Sequence, residues 1–488
     1  MAKFYITNSI PYVNAKPHIG HALEFIQSDT VARYHKLLGD DVTLLCGGDE
    51  NAIKNVQAAE KAQEPIQSFV DKNAQLFADL AKALNIHFDI WQKGSSEQHF
   101  KASQKLWELC AANKDAHGNS DIYEKSYTGL YCVGCELFYE LDELNENGEC
   151  FEHPGRKLEE VSEKNYFFRL SRYQDQLTEL IEKDILQILP TYTSIRKNEM
   201  LSFLKQGLQD ISISRSNERA KNWGVPVPGD ESQRMYVWFD ALNIYQSGIG
   251  FGSDEEKYKK LWPADVHMIG KGILRFHSIY WPAFLLSAKL KLPKAIFVHG
   301  YLTVNGQKMS KTLGNVVDPI EMIERYGTDA IRYYLLKEIP AAFDGDFSEE
   351  KLKTVYNADL ANGLGNLVAR VAKLCENSGF EDFEKIELKL NRKVKKHLDN
   401  YEYDRALNAI WFDVKWGLRW LDQKISEEKP WLIKEDKQSL RIKLALYVNN
   451  IREIAYNLQP FLPDTAEKIL DQFKGPKITS GKPLFPRL

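Results

Sequence analysis

The stretch His18-Ile19-Gly20-His21 stands between two sequence patterns that together decide the fold. Before it, Lys3–Ile10 alternates apolar and polar residues as a sheet strand does. After it, apolar residues recur at three- and four-residue steps, as on an amphipathic helix. Val42–Leu45 is a compact apolar run, typical of a buried parallel strand. This order predicts a βαβ unit, in which the loop after the first strand binds ligands.

The same pattern returns late in the chain, which predicts that the sheet is split. Val266–Gly270 has the pattern of a strand, Ile273–Ala288 that of a helix, and Ala295–Val298 that of a second strand. A polar stretch dotted with glycines separates the two halves, and from about Leu352 the periodicity is helical. We therefore expect an α/β protein: a split Rossmann-type parallel sheet with an insertion, followed by an all-α helical bundle.

Composition excludes several classes of protein. Of the 488 residues, 43% are hydrophobic and 27% are charged, the balance of an ordinary globular protein rather than a disordered one. The apolar runs, such as Ile279–Ala288, are too short to cross a bilayer, and the N-terminus lacks the apolar segment of a signal peptide. The six cysteines are unevenly spaced, unlike a secreted disulfide framework. We expect a cytoplasmic protein without membrane contact.

Charge is distributed unevenly along the chain. Residues 351–488 contain 25 Lys and Arg against 19 Asp and Glu, whereas the whole chain has a net charge of −4. A basic C-terminal third can meet the phosphates of a nucleic acid. A solvated helical surface explains the same charges, so composition permits a nucleic-acid partner without requiring one.

The residues at positions 18–21 form a histidine motif with phosphate-binding chemistry. A helix that begins here offers unpaired backbone N–H groups and the positive end of its dipole, and Gly20 permits close approach. His18 and His21 can donate hydrogen bonds to a phosphate during attack at phosphorus. Two histidines at a helix start can equally be polar caps, and the motif alone leaves both interpretations open.

A second motif, Lys308-Met309-Ser310-Lys311-Thr312, follows the last predicted strand, and we call it the lysine loop. Two lysines three residues apart can clamp a triphosphate and neutralise a departing pyrophosphate. Most isolated pairs of this kind are solvated basic loops, which is the alternative interpretation.

Four residues of metal-binding types lie in the insertion at the spacing of two short knuckles, Cys132-x-x-Cys135 and Cys150-x-x-His153. Three thiolates and one imidazole suit tetrahedral Zn²⁺, and four protein ligands leave no open position for catalysis. The surrounding insertion contains few large apolar side chains, so a structural zinc would supply folding free energy. A redox dithiol and inert thiols are the alternatives.

The histidine motif after the first strand and the lysine loop after the last strand together resemble the signature of class I aminoacyl-tRNA synthetases. The resemblance implies that the protein activates an amino acid with ATP and Mg²⁺, releases pyrophosphate, and transfers the amino acid to the 3′ end of tRNA. It implies that His18 and His21 stabilise the α-phosphate and that Lys308 and Lys311 stabilise the pyrophosphate. The ATP contacts that it implies are His18, Gly20, His21, Gly270, Lys308, Met309, Ser310 and Lys311.

Within that class the chain resembles the methionyl-tRNA synthetase family. The similarity lies in the short zinc-bearing insertion and in strings such as Pro11–Asn14, Trp223–Gly229 and Tyr236–Leu242. It implies methionine and tRNA(Met) as substrates, with Asp49 pairing with the α-ammonium group. The residues implied to line the side-chain pocket are Ile10, Tyr12, Trp238, Ala241, Leu242, Tyr245, Ile273 and His277. An aromatic and aliphatic slot suits a flexible thioether, whereas simple core packing is the alternative for Trp238 and Tyr245.

Two further functions stay open beside this resemblance: a class I synthetase for another amino acid, such as cysteine or leucine, and a catalytically silent tRNA-binding protein.

The chain differs from the family pattern at two positions. Asn51 stands where the family usually has a histidine, and Gly272 stands where an aspartate is common.

In the helical region the resemblance implies contacts with the tRNA anticodon. Trp431 matches a position that stacks on unpaired bases, and Asn366 and Arg370 match positions that read base edges. A surface ion pair for Arg370 and a hydrophobic helix cap for Trp431 are the alternatives. The chain ends at Leu488 without the additional tRNA-binding domain of some dimeric relatives, so we expect a monomer.

The resemblance assigns a function to each of five predicted regions. These are the first half of the catalytic domain (1–117), the zinc-binding connective insertion (118–223), the second catalytic half with the lysine loop (224–325), a linker that contacts the tRNA stem (326–350) and the helical anticodon-binding domain (351–488).

Overall fold

Each of the two compact units in the computed structural model combines segments that lie far apart in the sequence. Unit 1 consists of Met1–Pro17, Asp40–Asp79 and His87–His299, and unit 2 of His18–Gly39, Leu80–Ile86 and Gly300–Leu488. The structure describes residues 1–134, 137–139, 141–152, 155–309 and 314–488, with the backbone alone at positions 137, 138, 142 and 308.

The described strands are short, as in most globular domains. They are β1 (Lys3–Asn8), β2 (Asp41–Gly48), β3 (Ile90–Lys93), β4 (Ile122–Cys132), β5 (Leu137–Tyr139), β6 (Glu159–Phe168), β7 (Gln187–Leu189), β8 (Ile211–Ser212), β9 (Ser214–Ser216), β10 (Pro226–Val227), β11 (Asp230–Met235), β12 (Val266–Gly270), β13 (Ala295–His299), β14 (Leu302–Val304), β15 (Gln307–Lys308) and β16 (Gly345–Phe347).

α-Helices occur throughout the chain, and no described helix combines the length and the hydropathy needed to cross a membrane. They are α1 (Ile19–Leu37), α2 (Ile53–Ala62), α3 (Ile66–Ala83), α4 (Glu97–Ala112), α5 (Gln174–Glu182), α6 (Ile195–Lys205), α7 (Val237–Ala241), α8 (Ile244–Ser247), α9 (Glu255–Leu261), α10 (Trp281–Ser287), α11 (Pro319–Tyr326), α12 (Thr328–Glu338), α13 (Glu349–Val355), α14 (Asn366–Ser378), α15 (Arg392–Asp399), α16 (Tyr403–Phe412), α17 (Leu418–Glu428), α18 (Lys437–Leu458) and α19 (Pro463–Gln472).

The central sheet of unit 1 has six strands in the order β3-β2-β1-β12-β13-β7, and every neighbouring pair is parallel. The predicted α/β class with a parallel sheet is therefore confirmed. The N-terminal strand and the late strands meet between β1 and β12, where Ile6 lies opposite Val266. The edge strand β7 comes from inside the predicted insertion, a contribution that the sequence reasoning did not anticipate.

The insertion also forms a sheet of its own within unit 1, in the order β5-β4-β6-β8. Its central antiparallel pair, β4 and β6, runs in continuous register from Ile122 opposite Phe168 to Tyr131 opposite Glu159. Because side chains alternate between the faces of a strand, residues two apart on β4 share one face.

Unit 2 combines α1 with the C-terminal helices and a small sheet of order β15-β14-β16. From Glu349 to the end of the described chain, the regular elements are helices only, as the periodicity after Leu352 predicted. They include a π-helix at Tyr356–Gly365, directly before α14.

Candidate active site

In unit 2 the histidine motif forms the N-terminal cap of α1. The Nδ1 atom of His18 accepts a hydrogen bond from the Gly20 N–H at 3.1 Å, and the Nδ1 atom of His21 accepts one from the His18 N–H at 3.1 Å. This reciprocal pair is a capping box, and the two imidazole rings stack with their centroids 3.8 Å apart. Since both Nδ1 atoms accept, each neutral ring carries its proton on Nε2. The motif therefore caps the helix and also holds two Nε2–H donors.

His18 is neutral at physiological pH. Burial lowers the pKa of His18 to about 4, because the charged imidazolium is poorly solvated there. Gly20 is needed beside it, since a Cβ at this position would lie 3.0 Å from the His18 ring. A neutral His18 supplies a hydrogen bond but no net charge, and the N-terminus of α1 adds the positive end of the helix dipole beside it.

Within unit 2, Met309 of the lysine loop and Val317, which follows the loop, both lie beside the histidine motif. The Ile19 N–H donates to the Val317 carbonyl at 3.1 Å. On the other side of the loop, the Met309 Cε atom lies 3.4 Å from the position that a Cβ on Gly20 would take. The residues Ser310, Lys311 and Thr312, as well as the side chain of Lys308, lie outside the described residues. The structure thus brings both flanks of the loop to the histidine motif.

In unit 1, two residues predicted to line the methionine pocket, Tyr245 and His277, form a buried hydrogen-bonded pair. The Tyr245 hydroxyl donates to His277 Nε2 at 2.8 Å, because the Nδ1–H of His277 is already used to donate to the Ile273 carbonyl at 2.9 Å. Burial lowers the pKa of His277 to about 4. The backbone carbonyl of Tyr245 in turn accepts from the Tyr5 hydroxyl at 2.6 Å. This pair is a neutral, fixed polar group.

Aromatic rings surround the tyrosine–histidine pair. Trp238 stacks on Phe276 with the centroids 3.8 Å apart and the ring planes at 4°, and Tyr12 lies edge-on to Trp238 at 6.4 Å. The chain places Phe276 and His277 on a π-helical turn, Phe276–Tyr280, inside the segment predicted as one regular helix. The predicted pocket residues that belong to or pack against this same buried cluster are Ile10, Tyr12, Trp238, Ala241, Leu242, Tyr245 and Ile273.

Asp49 lies at the carboxyl end of β2, next to Tyr12. Its backbone N–H donates to the Pro11 carbonyl at 2.9 Å, and Tyr12 and Asp49 form an isolated parallel bridge. The neighbouring Asn51 donates from Nδ2 to Asp240 Oδ2 at 2.5 Å and to the Gly94 carbonyl at 2.9 Å. Asn51 therefore fixes the buried carboxylate of Asp240. Gly270, a predicted ATP contact, is the last residue of β12.

Lys54 is a pocket residue that the sequence reasoning missed. Its ammonium group lies 2.9 Å from the centroid of the Tyr12 ring and donates to the Gly134 carbonyl at 3.3 Å. Lys54 stands in the first turn of α2, where the helix dipole disfavours a cation. A lysine at this unfavourable position is the sequence signal that could have indicated a contact of Lys54 with residues outside α2.

Two of the four predicted zinc ligands lie together in the insertion. The Sγ atoms of Cys132 and Cys150 are 3.2 Å apart, well beyond a disulfide length of roughly 2.05 Å, and both residues are buried. Cys135 and His153 lie outside the described residues. Among the described residues alone, no group of three or more histidine, cysteine or acidic side chains is arranged to hold a metal.

The predicted anticodon residues lie on unit 2. The Arg370 guanidinium sits 5.2 Å over the Trp431 ring and pairs with Asp422 at 2.8 Å. Trp431 is 49% exposed, and Asn366 is exposed at the first position of α14, one turn before Arg370. The structure therefore brings Arg370 to Trp431, and it also contains the surface ion pair considered as the alternative.

Comparison with known proteins gives a consistent result over the whole chain. The family of tRNA synthetases class I (M) matches residues 4–372. The methionine–tRNA ligase of Brucella suis is 40% identical, covering 99% of this chain and 98% of that protein, and that of Thermotoga maritima is 39% identical, covering 100% and 80%. The structure of Mycobacterium tuberculosis methionyl-tRNA synthetase in complex with methionyl-adenylate is similar with a TM-score of 0.91, at 36% identity and full coverage of both chains.

Proposed function

The chain belongs to the methionyl-tRNA synthetase family of class I aminoacyl-tRNA synthetases, and on this basis we propose which residues bind each substrate and which support catalysis. It activates methionine with ATP and charges tRNA for protein synthesis. In the first step the methionine carboxylate oxygen bonds to the α-phosphorus, and the bond from that phosphorus to the β-phosphate oxygen breaks, releasing pyrophosphate. No side chain needs to act as a nucleophile, so orientation and electrostatic stabilisation supply the catalysis.

We assign the phosphate chemistry to the histidine motif and the lysine loop. The Nε2–H groups of His18 and His21 donate to the α-phosphate as its charge grows, and Gly20 lets the nucleotide approach the helix N-terminus. Lys308 and Lys311 neutralise the leaving pyrophosphate together with the Mg²⁺ that accompanies ATP. The remaining proposed ATP contacts are Gly270, Met309 and Ser310. The proximity of both loop flanks to the motif supports this assignment.

The observation that carries the methionine assignment is the Tyr245–His277 hydrogen bond inside an aromatic slot. A neutral polar pair suits a polarizable thioether, and it gives no charge for an acidic or basic side chain to pair with. We propose that Asp49 pairs with the α-ammonium group at the mouth of this slot. An apolar slot distinguishes substrates by only about 1–3 kcal/mol per methylene, so homocysteine and leucine should be rejected incompletely.

ATP–pyrophosphate exchange with a panel of amino acids tests this function. We expect exchange to be fastest with methionine, measurable with homocysteine and weaker with leucine and cysteine, because those side chains fill the slot less completely. Fastest exchange with leucine or cysteine would instead support a synthetase for another amino acid. Absence of exchange with every amino acid would support a silent tRNA-binding protein.

We propose that a structural zinc ion holds the insertion through Cys132, Cys135, Cys150 and His153. The support is the ligand spacing and the two buried, adjacent sulfurs that the structure describes. Metal analysis of protein purified without chelator should find one zinc per chain. Cys150→Ser should lose the metal and lower the melting temperature, whereas Cys375→Ala, at a cysteine outside the insertion, should retain it. Protein that contains no zinc contradicts the proposal.

We propose that residues 351–488 bind the anticodon, with Trp431 stacking on an unpaired base. Trp431→Ala should lower kcat/KM for tRNA charging roughly 5- to 150-fold, the range for loss of one stacked base, while methionine-dependent exchange is unchanged. Ile442→Ala, an exposed apolar residue on α18, serves as the control and should leave both steps unchanged. If exchange and charging fall together in Trp431→Ala, the tryptophan has a structural role instead.

A further inference from the structure

Two very short helices of unit 1 carry part of the proposed methionine slot. α7 has five residues and α8 has four, whereas isolated helices shorter than roughly 12 residues are marginal in water. Contacts with other segments must therefore fix where these helices stand. The proposed slot residues on this stretch are Trp238, Ala241, Leu242 and Tyr245.

Buried polar side chains of α4 contact both short helices. His99 Nδ1 lies 2.8 Å from Ser247 Oγ on α8, and His99 Nε2 lies 3.7 Å from Asp240 Oδ2 on α7. Gln98 Nε2 also donates to the Ser247 carbonyl at 2.8 Å. His99 and Ser247 are fully buried, so these contacts are made without competition from solvent.

Asp240 is a buried carboxylate with few partners. It is 2% exposed, and no described lysine or arginine pairs with it. Its Oδ2 accepts from Asn51 Nδ2 at 2.5 Å, and its Oδ1 makes no hydrogen bond with any described residue. A buried carboxylate costs free energy unless it is paired, and a hydrogen bond to a charged acceptor is stronger than one between neutral groups. The bond from Asn51 is therefore the main contact that fixes Asp240.

Asn51 lies on the segment that carries the proposed ligand of the α-ammonium group. Asp49 stands two residues earlier, and its backbone carbonyl accepts from Asn55 Nδ2 at 2.8 Å, which fixes the segment to α2. On the other side, Trp238 stands two residues before Asp240 on α7. The hydrogen bond between Asn51 and Asp240 thus connects the segment that carries Asp49 to the helix that carries Trp238.

We propose that Asn51 and Asp240 are positioning residues that limit the length of the side chain that the protein activates. Their hydrogen bond fixes the separation between Asp49, which pairs with the α-ammonium group, and Trp238, which lines the slot. A side chain longer than that of methionine is rejected because Trp238 cannot move away from Asp49 to make room. This inference rests on the proposed methionine activation and adds the residues that determine its selectivity for length.

The test compares ATP–pyrophosphate exchange with methionine and with ethionine, whose side chain is one methylene longer. One methylene changes kcat/KM by about 10- to 200-fold in an apolar slot. Asn51→Ala should lower the methionine-over-ethionine ratio about fivefold or more. The KM for methionine should rise about tenfold while kcat changes less than about threefold, because the proposed phosphate contacts are untouched.

Two further variants separate positioning from stability. Asp240→Asn keeps an oxygen that accepts from Asn51, so the methionine-over-ethionine ratio should stay within about twofold of the unmodified value. The double variant Asn51→Ala/Asp240→Asn buries no charge without its donor, so its thermal unfolding temperature should exceed that of Asn51→Ala. Its selectivity should nevertheless fall as far as in Asn51→Ala, because the connection to α7 stays broken.

Asn73→Ala is the matched control. Asn73 is a buried amide of unit 1 on α3 that donates to the Phe69 carbonyl at 3.0 Å, and its loss should leave the ratio unchanged. An unchanged ratio in both Asn51→Ala and the double variant would overturn the proposal, as would an equal fall in Asn73→Ala. The unmodified protein tests the proposed function in the same assay: a preference for methionine upholds that function whatever the variants show, whereas no exchange with methionine removes both.

Discussion

His21→Ala is expected to lower the rate of methionine-dependent ATP–pyrophosphate exchange by about two to three orders of magnitude, the usual loss for one preorganised donor. The Nδ1 atom of His21 is fixed by the His18 N–H, which sets its proton on Nε2. The donor is therefore oriented before the nucleotide binds, so no reorganisation is needed during the reaction. Exchange rates at saturating methionine and ATP measure the effect, and Lys311→Ala should give a loss of similar size.

Two comparisons separate catalysis from helix capping in this experiment. Loss of the cap alone costs about 0.5–2 kcal/mol of stability, so thermal unfolding of His21→Ala measures that part directly. His87→Ala removes an imidazole that is 84% exposed and should leave exchange unchanged. An exchange rate in His21→Ala equal to that of the unmodified protein would refute a catalytic role for the motif.

The elements that the sequence predicted well are those with a strong local pattern. The strand predicted at Val266–Gly270 has the same bounds in the structure, and the predicted strand at Ala295–Val298 extends by one residue. Such runs are buried on both faces of a parallel sheet, so their apolar character is continuous. The structure also joins Tyr245 and His277, which the resemblance implied as residues of one pocket, by a hydrogen bond of 2.8 Å. Their role in binding methionine stays a prediction. The predicted monomeric state stays a prediction.

What the sequence did not reveal depends on contacts between distant segments. The strand Gln187–Leu189 joins the central sheet only through pairing with Ala295–Phe297, and three residues carry too little pattern to predict a strand. The π-helical turn at Phe276–Tyr280 has the same residue types as a regular helix, so periodicity alone cannot distinguish them. Lys54 contacts Tyr12 across the chain and was missed for the same reason.

Arg332→Leu should destabilise unit 2 by about 3 kcal/mol in chemical denaturation, the largest stability effect that we expect from one charged residue. Arg332 is fully buried on α12, and its guanidinium pairs with Asp29 of α1 at 2.7 Å. It also donates to the Phe461 carbonyl at 2.8 Å, the Pro460 carbonyl at 3.1 Å and the Leu84 carbonyl at 3.2 Å. The loss removes one of the two arginine partners of a buried carboxylate and leaves three carbonyl acceptors without this donor.

The size of that effect depends on Arg33, which also donates to Asp29, at 2.7 Å, and stays in place when Arg332 is replaced. The cost should therefore lie at the lower end of the range of about 3–5 kcal/mol for breaking a buried pair. Arg441→Leu, which breaks a pair with Asp382 in which both side chains are about half exposed, is the matched control and should cost at most about 1 kcal/mol.

A double-variant cycle with Asp29→Leu identifies what Arg332 contributes to α1, the helix that carries the histidine motif. If the charge pair dominates, removing both partners leaves no uncompensated charge from that pair, and the double variant should be more stable than the sum of the single losses predicts. The recovery should be incomplete, since the Phe461, Pro460 and Leu84 carbonyls still lack the guanidinium. Strictly additive losses would show that Arg332 acts through those carbonyls alone, and that the ion pair with Asp29 does not hold α1 in place.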